Sequence, residues 1–162
     1  MKKILSSTIL IFSLFIISQT NASAQQLHST ELGAGIVFGN EPQTVGLHVD
    51  GTYYFTQNVA ITPDIDIYFP HNSYYDSFFA VDLNGHYIFD QSTQYQLYGL
   101  AGLNISSGKH APSRRNESKL GLNIGVGGAY QLQKVSVFGE VKYVISNLNE
   151  LVASLGVRVP LH

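Results

Sequence analysis

The chain ends with ELVASLGVRVPLH (150–162), in which every second residue from Leu151 to Leu161 is apolar. Successive side chains of a β-strand point to opposite faces, so this pattern predicts a strand over 150–161 with one continuous apolar face. Arg158 lies in the middle of the other face, among small and polar residues. The fold therefore depends on which of the two faces meets water.

The N-terminus predicts export. Lysines at positions 2 and 3 precede an apolar run over 4–17, and Ala-Ser-Ala follows at 22–24, which is the layout of a signal peptide over residues 1–24. The apolar run of 14 residues is shorter than the roughly 20 that a membrane-spanning helix needs. An uncleaved N-terminal anchor is the alternative. We expect a mature chain of residues 25–162 that forms one domain.

Composition excludes several classes of protein. Without Lys2 and Lys3 the chain holds seven Lys and Arg against eleven Asp and Glu, a formal charge of −4. This balance argues against nucleic acid as a partner. Cysteine is absent from the sequence, so neither disulfides nor thiolate metal sites are available. Tyr and Phe number 19 together, a bias toward residues that favour strands.

Alternation with a period of two recurs along the whole mature chain. It predicts eight strands, at about 30–38, 43–55, 58–69, 78–89, 94–106, 118–131, 134–146 and 150–161. The connections alternate as well, since short turns such as TQN and QLQ follow longer segments such as PHNSYYDS and SSGKHAPSRRNES. An even number of strands with alternating connections predicts an antiparallel, up-and-down arrangement that closes into a barrel.

The two faces of these strands differ in charge. One face carries no charged residue, while the other carries all of the strand charges and is rich in glycine. The outside of a soluble barrel is usually about a quarter to a third charged, which the second face is not. A membrane barrel turns its apolar face outward and its polar face inward. Arg158 then points into the lumen, where Glu140 and several aspartates offer partners.

Aromatic residues on the apolar face fall into two groups, as expected where rings lie at the two interfaces of a bilayer. The first group lies beside the short turns and the second lies toward the long loops: Tyr53, Phe55, Tyr87, Phe89, Tyr95 and Tyr130, then Phe38, Phe69, Phe79 and Tyr143. The prediction is an all-β fold, an eight-stranded antiparallel up-and-down transmembrane β-barrel. The alternative is a soluble barrel of the lipocalin type that carries a ligand.

The inward face supplies the candidate site. We predict a hydrogen-bonded polar network inside the barrel, made of Asp50, Asp64, Asp66, Asp82, His48, His86, Glu140, Lys142 and Arg158. The aspartates also fit a hard-cation site or acid-base pairs, and the two histidines lack an evident third metal ligand. We expect no metal and no cofactor.

The third long connection is basic. It carries Lys109, His110, Arg114, Arg115 and Lys119 against the single acid Glu117. Such a loop is able to contact the phosphates of lipopolysaccharide or another anionic partner, and the alternative is a solvated loop without a partner.

The chain resembles the small eight-stranded outer-membrane barrels, of the OmpX or OmpA transmembrane-domain kind, in the outer membrane beta-barrel domain group. The resemblance rests on four segments and extends over nearly all of the mature chain: VGLHVDGTYYFTQNVAI (45–61), YQLYGLAGLNIS (95–106), VFGEVKYVISN (137–147) and LGVRVPL (155–161). It implies a bacterial outer membrane, termini on the periplasmic side and contact with the barrel-assembly machinery. Members of the group commonly end in Phe, whereas this chain ends in His162.

The same kind of barrel also serves enzymes, and in lipid A deacylase barrels a His two residues before a Ser-Asn pair acts as base for the serine. Here the pair is Ser146-Asn147 and the matching position is Val144, so the serine lacks its base. We therefore expect a protein without enzymatic activity that has a structural or surface-interaction role in the envelope. A lipid-modifying enzyme is the first alternative and a soluble periplasmic ligand carrier is the second.

Overall fold

Eight antiparallel strands close into one barrel in chain order, with β1 paired to both β2 and β8. The computed structural model describes residues 29–40, 43–69, 75–110, 116–147 and 149–161. The strands are β1 (Thr30–Gly39), β2 (Thr44–Tyr54), β3 (Val59–Tyr68), β4 (Tyr75–Gln91), β5 (Tyr95–His110), β6 (Asn116–Leu132), β7 (Val135–Ile145) and β8 (Glu150–Leu161). The predicted fold class is confirmed. Among the described residues no helix is long and apolar enough to cross a membrane.

The two ends of the barrel differ in their connections. Residues 55–58, 92–94 and 133–134 join strands at one end, which we call the short-turn end and which also holds the start of β1 and the end of β8. The opposite end, the long-loop end, holds the other four connections. The predicted signal peptide (1–24) and His162 lie outside the described residues.

The wall of the barrel has an apolar outer face. Large apolar side chains that alternate along every strand are exposed, for example Ile36 at 59%, Leu103 at 52% and Leu120 at 69%. The residues between them point into the lumen, where Lys142 is 1% and Arg158 is 2% exposed. Charge is thus inside and apolar surface is outside, the reverse of a water-soluble domain.

Strands β4, β5 and β6 are longer than predicted. The sequence pattern predicts 78–89, 94–106 and 118–131, whereas these strands have 17, 16 and 17 residues. Their extra residues at the long-loop end pair with one another, for example Ser107 with Ser118 and Lys109 with Asn116. The cause is backbone pairing among polar residues, which gives no apolar alternation to read.

Two apolar clusters lie inside the lumen, one toward each end. The cluster at the long-loop end contains Val37, Tyr68, Phe78, Ala80, Val144 and Val152. The cluster at the short-turn end contains Tyr54, Ala60, Ile88, Tyr98 and Leu100. Polar and charged side chains fill the space between the two clusters, so the interior of the barrel has three layers.

Candidate functional site

Arg158 organises one half of the polar layer. From β8 its Nε donates to Asp50 Oδ1 at 2.9 Å and its Nη2 donates to Glu140 Oε1 at 2.6 Å. Its Nη1 donates to the Tyr98 hydroxyl at 3.1 Å, and that hydroxyl donates to Glu140 Oε1 at 2.6 Å. The guanidinium also lies 3.9 Å above the centre of the Phe138 ring. This buried cation therefore has both ion pairs and a cation–π contact.

Lys142 organises the other half. It projects from β7 and its Nζ donates to Asp64 Oδ1 at 3.2 Å and to Asp66 Oδ2 at 3.3 Å. The same ammonium forms an ion pair with Asp82 of β4. Strands β3 and β7 are four places apart in a ring of eight, on opposite sides of the barrel. The lysine side chain therefore crosses the lumen and blocks it.

His48 lies between the two halves. Its Nε2 is 3.1 Å from Asp50 Oδ2, and its Nδ1 is 2.6 Å from Asp66 Oδ1. The centre of its ring lies 5.6 Å from that of Phe138, and the two rings are tilted by 53°. Because Asp50 also binds Arg158 and Asp66 also binds Lys142, the imidazole joins the two ion clusters into one network.

Two asparagines donate to the remaining oxygens of Asp64 and Asp82, and a third asparagine supports one of them. Asn84 donates to Asp64 Oδ2 at 2.8 Å, and Asn104 donates to Asp82 Oδ1 at 2.6 Å. Asn123 in turn donates to Asn84 Oδ1 at 2.9 Å. Charge-assisted bonds of this kind are stronger than neutral ones and hold the aspartates in fixed rotamers.

His86, the other predicted histidine, has different surroundings. Its ring stacks on Tyr98 with centres 4.6 Å apart, next to the apolar cluster at the short-turn end. Its Nδ1 is 3.4 Å from the Thr62 hydroxyl, and its buried Nε2 has no hydrogen-bond partner among the described residues. No carboxylate bonds to this ring directly within that part of the chain, in contrast to His48.

Interior glycines make room for these side chains. A Cβ on Gly33 would lie 2.6 Å from Asp50 Cγ, and a Cβ on Gly127 would lie 2.6 Å from the ring of Tyr98. Such contacts are too short for real Cβ atoms. Strand β1 lies between β2 and β8, and its lumen-facing Gly33 leaves room for the Asp50–Arg158 ion pair that joins those two strands.

The arrangement favours hydrogen bonding over metal binding. His48, Asp64 and Asp66 each offer an atom within 4.8 Å of the others, close enough for a metal group. However, the Lys142 ammonium already binds both aspartates, and both ring nitrogens of His48 face carboxylates. A cation placed among these atoms would have to displace the lysine.

The structure thus brings together all nine residues that the sequence placed in the interior network, with His86 at its edge. The sequence argument overlooked the aromatic residues on the same face, among them Tyr98 and Phe138, which bind or cover Arg158. It also overlooked Glu31, whose Oε2 accepts from the Tyr54 hydroxyl at 3.2 Å. The parity of these positions in their strands was the available signal.

The basic loop residues are only partly described. Arg114 and Arg115 lie outside the described residues, as does the side chain of Lys109. Lys119, predicted in the loop, lies instead in β6, half-buried and on the same side as the lumen-facing Gly121 and Asn123. The sequence placed position 119 both at the start of the predicted strand 118–131 and in the basic connection, and the structure assigns it to the strand.

The Ser146-Asn147 pair follows directly after β7. Val144, at the position of the missing base, is 3% exposed and belongs to the apolar cluster at the long-loop end. A residue at this position points into the lumen rather than toward the outer surface. The position that holds the activating histidine in that motif is thus occupied here by a lumen-facing valine.

Comparison with known structures identifies the class of barrel to which this fold corresponds. No protein family matches the sequence, and no curated protein is significantly similar to it. Among solved structures, the N-terminal β-barrel domain of OprF from Pseudomonas aeruginosa matches with a TM-score of 0.73 at 18% identity, over 85% of this chain and 100% of that one. This chain therefore has the fold of the small eight-stranded outer-membrane barrels.

Two further structures show the same fold. Ail, the attachment invasion locus protein of Yersinia pestis, in complex with the heparin analogue sucrose octasulfate, matches with a TM-score of 0.65 at 14% identity, over 84% of this chain and 100% of that one. OprG from Pseudomonas aeruginosa matches with a TM-score of 0.64 at 13% identity, over 88% of this chain and 100% of that one. At such identities the likeness establishes architecture alone.

Proposed function

We propose that the protein is an integral barrel of a bacterial outer membrane, with a structural or surface-interaction role and a closed lumen. The distribution of polarity carries the proposal, because large exposed apolar side chains alternate with buried ion pairs along the strands. An outer face of this kind is stable against lipid hydrocarbon and unstable in water.

The aromatic residues support the same assignment. Tyr87 and Phe89 are exposed on the outer face near the short-turn end, and Phe38, Phe69 and Phe79 are exposed near the long-loop end. Strands of 10 to 17 residues are long enough for the roughly 9 to 11 that a tilted membrane strand needs. The outer surface thus matches an apolar band between two aromatic belts.

The interior supports a structural role over a pore. Lys142 is paired across the lumen, Arg158 is paired with carboxylates of β7 and β2, and an apolar cluster lies on each side of the polar layer. Opening a channel would separate buried ion pairs and expose apolar side chains, both of which are unfavourable. Function then resides at the surfaces.

The surface partner that we propose is a polyanionic sugar, with lipopolysaccharide as the nearest source. Lys109 lies near the end of β5, and Arg114 and Arg115 lie in the connection that follows, so this part of the chain is basic. The similar barrel Ail was crystallised with a heparin analogue, which is a polyanion of the same chemical kind. Before it reaches the membrane, the chain would contact the barrel-assembly machinery.

The membrane assignment is tested by fractionation and heat-modifiability. Cells that express the protein are separated into soluble and outer-membrane fractions, and the membrane sample is run on a denaturing gel with and without boiling. We expect the protein in the outer membrane and a band that shifts on boiling, because a closed barrel resists detergent. A soluble periplasmic protein without a shift would invert the assignment of the faces and favour the ligand carrier.

The loop is tested by binding of the refolded protein to lipopolysaccharide vesicles and to a sulfated polysaccharide. R114Q/R115Q should bind more weakly and with a smaller dependence on salt. K134Q is the matched control, since Lys134 is an exposed basic residue at the opposite, short-turn end. Equal binding by all three proteins would exclude the loop as the site.

Our proposal includes no catalytic step. A mass spectrum of lipid A that changes when the protein is expressed would contradict the proposal that the protein is not an enzyme.

A further inference from the structure

We infer that His48 is held as an imidazolium, a third buried cation at the centre of an alternating chain of five charges across the barrel. The chain runs from Arg158 of β8 through Asp50 and His48 of β2 to Asp66 of β3 and Lys142 of β7. This assignment makes the two ion clusters one unit and is independent of where the barrel is located in the cell.

The geometry of the imidazole is the first argument. Nε2 is 3.1 Å from Asp50 Oδ2 and Nδ1 is 2.6 Å from Asp66 Oδ1. An ionised carboxylate only accepts hydrogen bonds, so both ring nitrogens must donate, and only the imidazolium form has two N–H groups. A neutral ring would direct an unprotonated nitrogen at one of the two carboxylates.

The second argument is that both aspartates are held in the ionised form by their other oxygen. Asp50 Oδ1 accepts from Arg158 Nε at 2.9 Å, and Asp66 Oδ2 accepts from Lys142 Nζ at 3.3 Å. A proton on either carboxyl group would neutralise it beside a fixed cation, and that ion pair would be lost. The shared proton therefore belongs to the imidazole and not to the aspartates.

The surroundings of His48 support the positive charge. Asp64 of β3 lies close enough to share a metal-like grouping with His48 and Asp66, which adds a third carboxylate nearby. From β7, Phe138 lies with its ring centre 5.6 Å from that of His48. The cations Arg158 and Lys142 reach His48 only through the intervening aspartates. If the imidazole were neutral, only two cations, Arg158 and Lys142, would balance the five carboxylates of the network, which are those of Asp50, Asp64, Asp66, Asp82 and Glu140.

His86 provides an internal comparison. It is as deeply buried, but its Nδ1 faces only the Thr62 hydroxyl and its Nε2 has no partner among the described residues. An imidazolium there would bury an N–H without an acceptor, which is unfavourable. We infer that His86 is neutral under conditions in which His48 is charged.

The test is nitrogen NMR of the histidine rings in the folded barrel at neutral pH. The signals of the two interior rings are assigned with the H48Q and H86Q variants. We expect both ring nitrogens of His48 to be protonated, whereas His86 has one protonated and one bare nitrogen. A bare nitrogen on His48 at neutral pH would overturn the inference. If H48Q fails to fold, H86Q together with substitutions of the other four histidines, H28Q, H71Q, H110Q and H162Q, assigns every other ring and identifies that of His48 by elimination.

Unfolding by urea gives a second measurement. A glutamine amide at position 48 carries no charge and donates from one end only, so one carboxylate loses its donor. We expect the equilibrium constant for unfolding to rise about tenfold or more in H48Q relative to H86Q, as for other buried charged hydrogen bonds. Equal effects of the two substitutions would contradict a cation at position 48.

Discussion

At the scale of single residues, glycine occurs on both faces of the barrel wall for different reasons. A Cβ on the lumen-facing Gly102 would lie 2.7 Å from Asn84 Cα, whereas a Cβ on the outward-facing Gly85 would meet only Ala101 O, at 3.6 Å. We expect G102A to lower the free energy of unfolding by about 1–3 kcal/mol through overpacking, and G85A to change it little. Urea unfolding of the refolded proteins measures both. An unchanged free energy of unfolding in G102A would mean that the backbone around position 102 shifts to accommodate the Cβ.

Outward residues should respond to charge according to their depth in the membrane. Leu103 is 52% exposed in the middle of the apolar band, and Ser107 has the same parity on the same strand beyond it. On the proposed lipid-facing surface, L103R should lower the free energy of unfolding in lipid vesicles by about 2–4 kcal/mol, and S107R by at most about 1 kcal/mol. If both substitutions are harmless, the outer face does not meet hydrocarbon.

The sequence predicted the face of each charged residue of the interior network because parity in a strand is strictly local information. Arg158 and Glu140 were expected inside as partners, and their side chains lie 2.6 Å apart. Parity does not give contacts across the lumen. The pairing of Lys142 with Asp64, and the position of His48 between two carboxylates, depend on closure of the barrel and were beyond the sequence.

At the scale of strands, Lys142 connects β7 to β3 and β4 on the far side of the lumen. Removing its ammonium leaves Asp64, Asp66 and Asp82 buried without that cation. We expect K142M to lower the free energy of unfolding by about 3–5 kcal/mol. The measurement is urea unfolding of the refolded barrel.

A matched control and a compensating change accompany this prediction. K134M removes an exposed lysine from the β6–β7 turn and should change the free energy of unfolding by no more than about 0.5 kcal/mol. D82N in the K142M background removes one surplus charge and should restore part of the lost stability. A K142M protein as stable as K134M would show that the contact across the lumen contributes nothing.

Strand boundaries show where the sequence signal ends. Alternation of apolar residues defines the outer face only as far as the apolar band extends, so β1 and β8 were predicted to within about a residue. The long-loop ends of β4, β5 and β6 lack that alternation, and polar residues such as Ser107 and Ser118 replace the apolar ones of the outer face. Their pairing is backbone hydrogen bonding between neighbours, which any polar residue supports.

At the scale of the whole molecule, the eight-stranded closure followed from an even number of alternating strands and from connections that alternate in length. The sequence pattern did not predict the three layers of the lumen. Apolar residues such as Ile88 and Phe138 point inward, on the face that was predicted to be polar. A narrow barrel must fill its interior to protein density, and apolar side chains complete what the ion pairs leave open.

The last prediction concerns the orientation of the whole barrel in the membrane, which labelling of single introduced cysteines can measure. The sequence has no cysteine, so a single introduced one is the only thiol of this protein that a maleimide reagent can modify. R115C lies in the connection between β5 and β6, and K134C lies in the turn at the opposite end. If the long loops face outward, a polymer-linked maleimide too large to cross the outer membrane should modify R115C in intact cells. K134C should react only after the membrane is permeabilised, since its turn would face the periplasm. The reverse pattern would invert the barrel and move the search for partners to the short turns, and reaction of neither before permeabilisation would contradict a surface role for the basic loop.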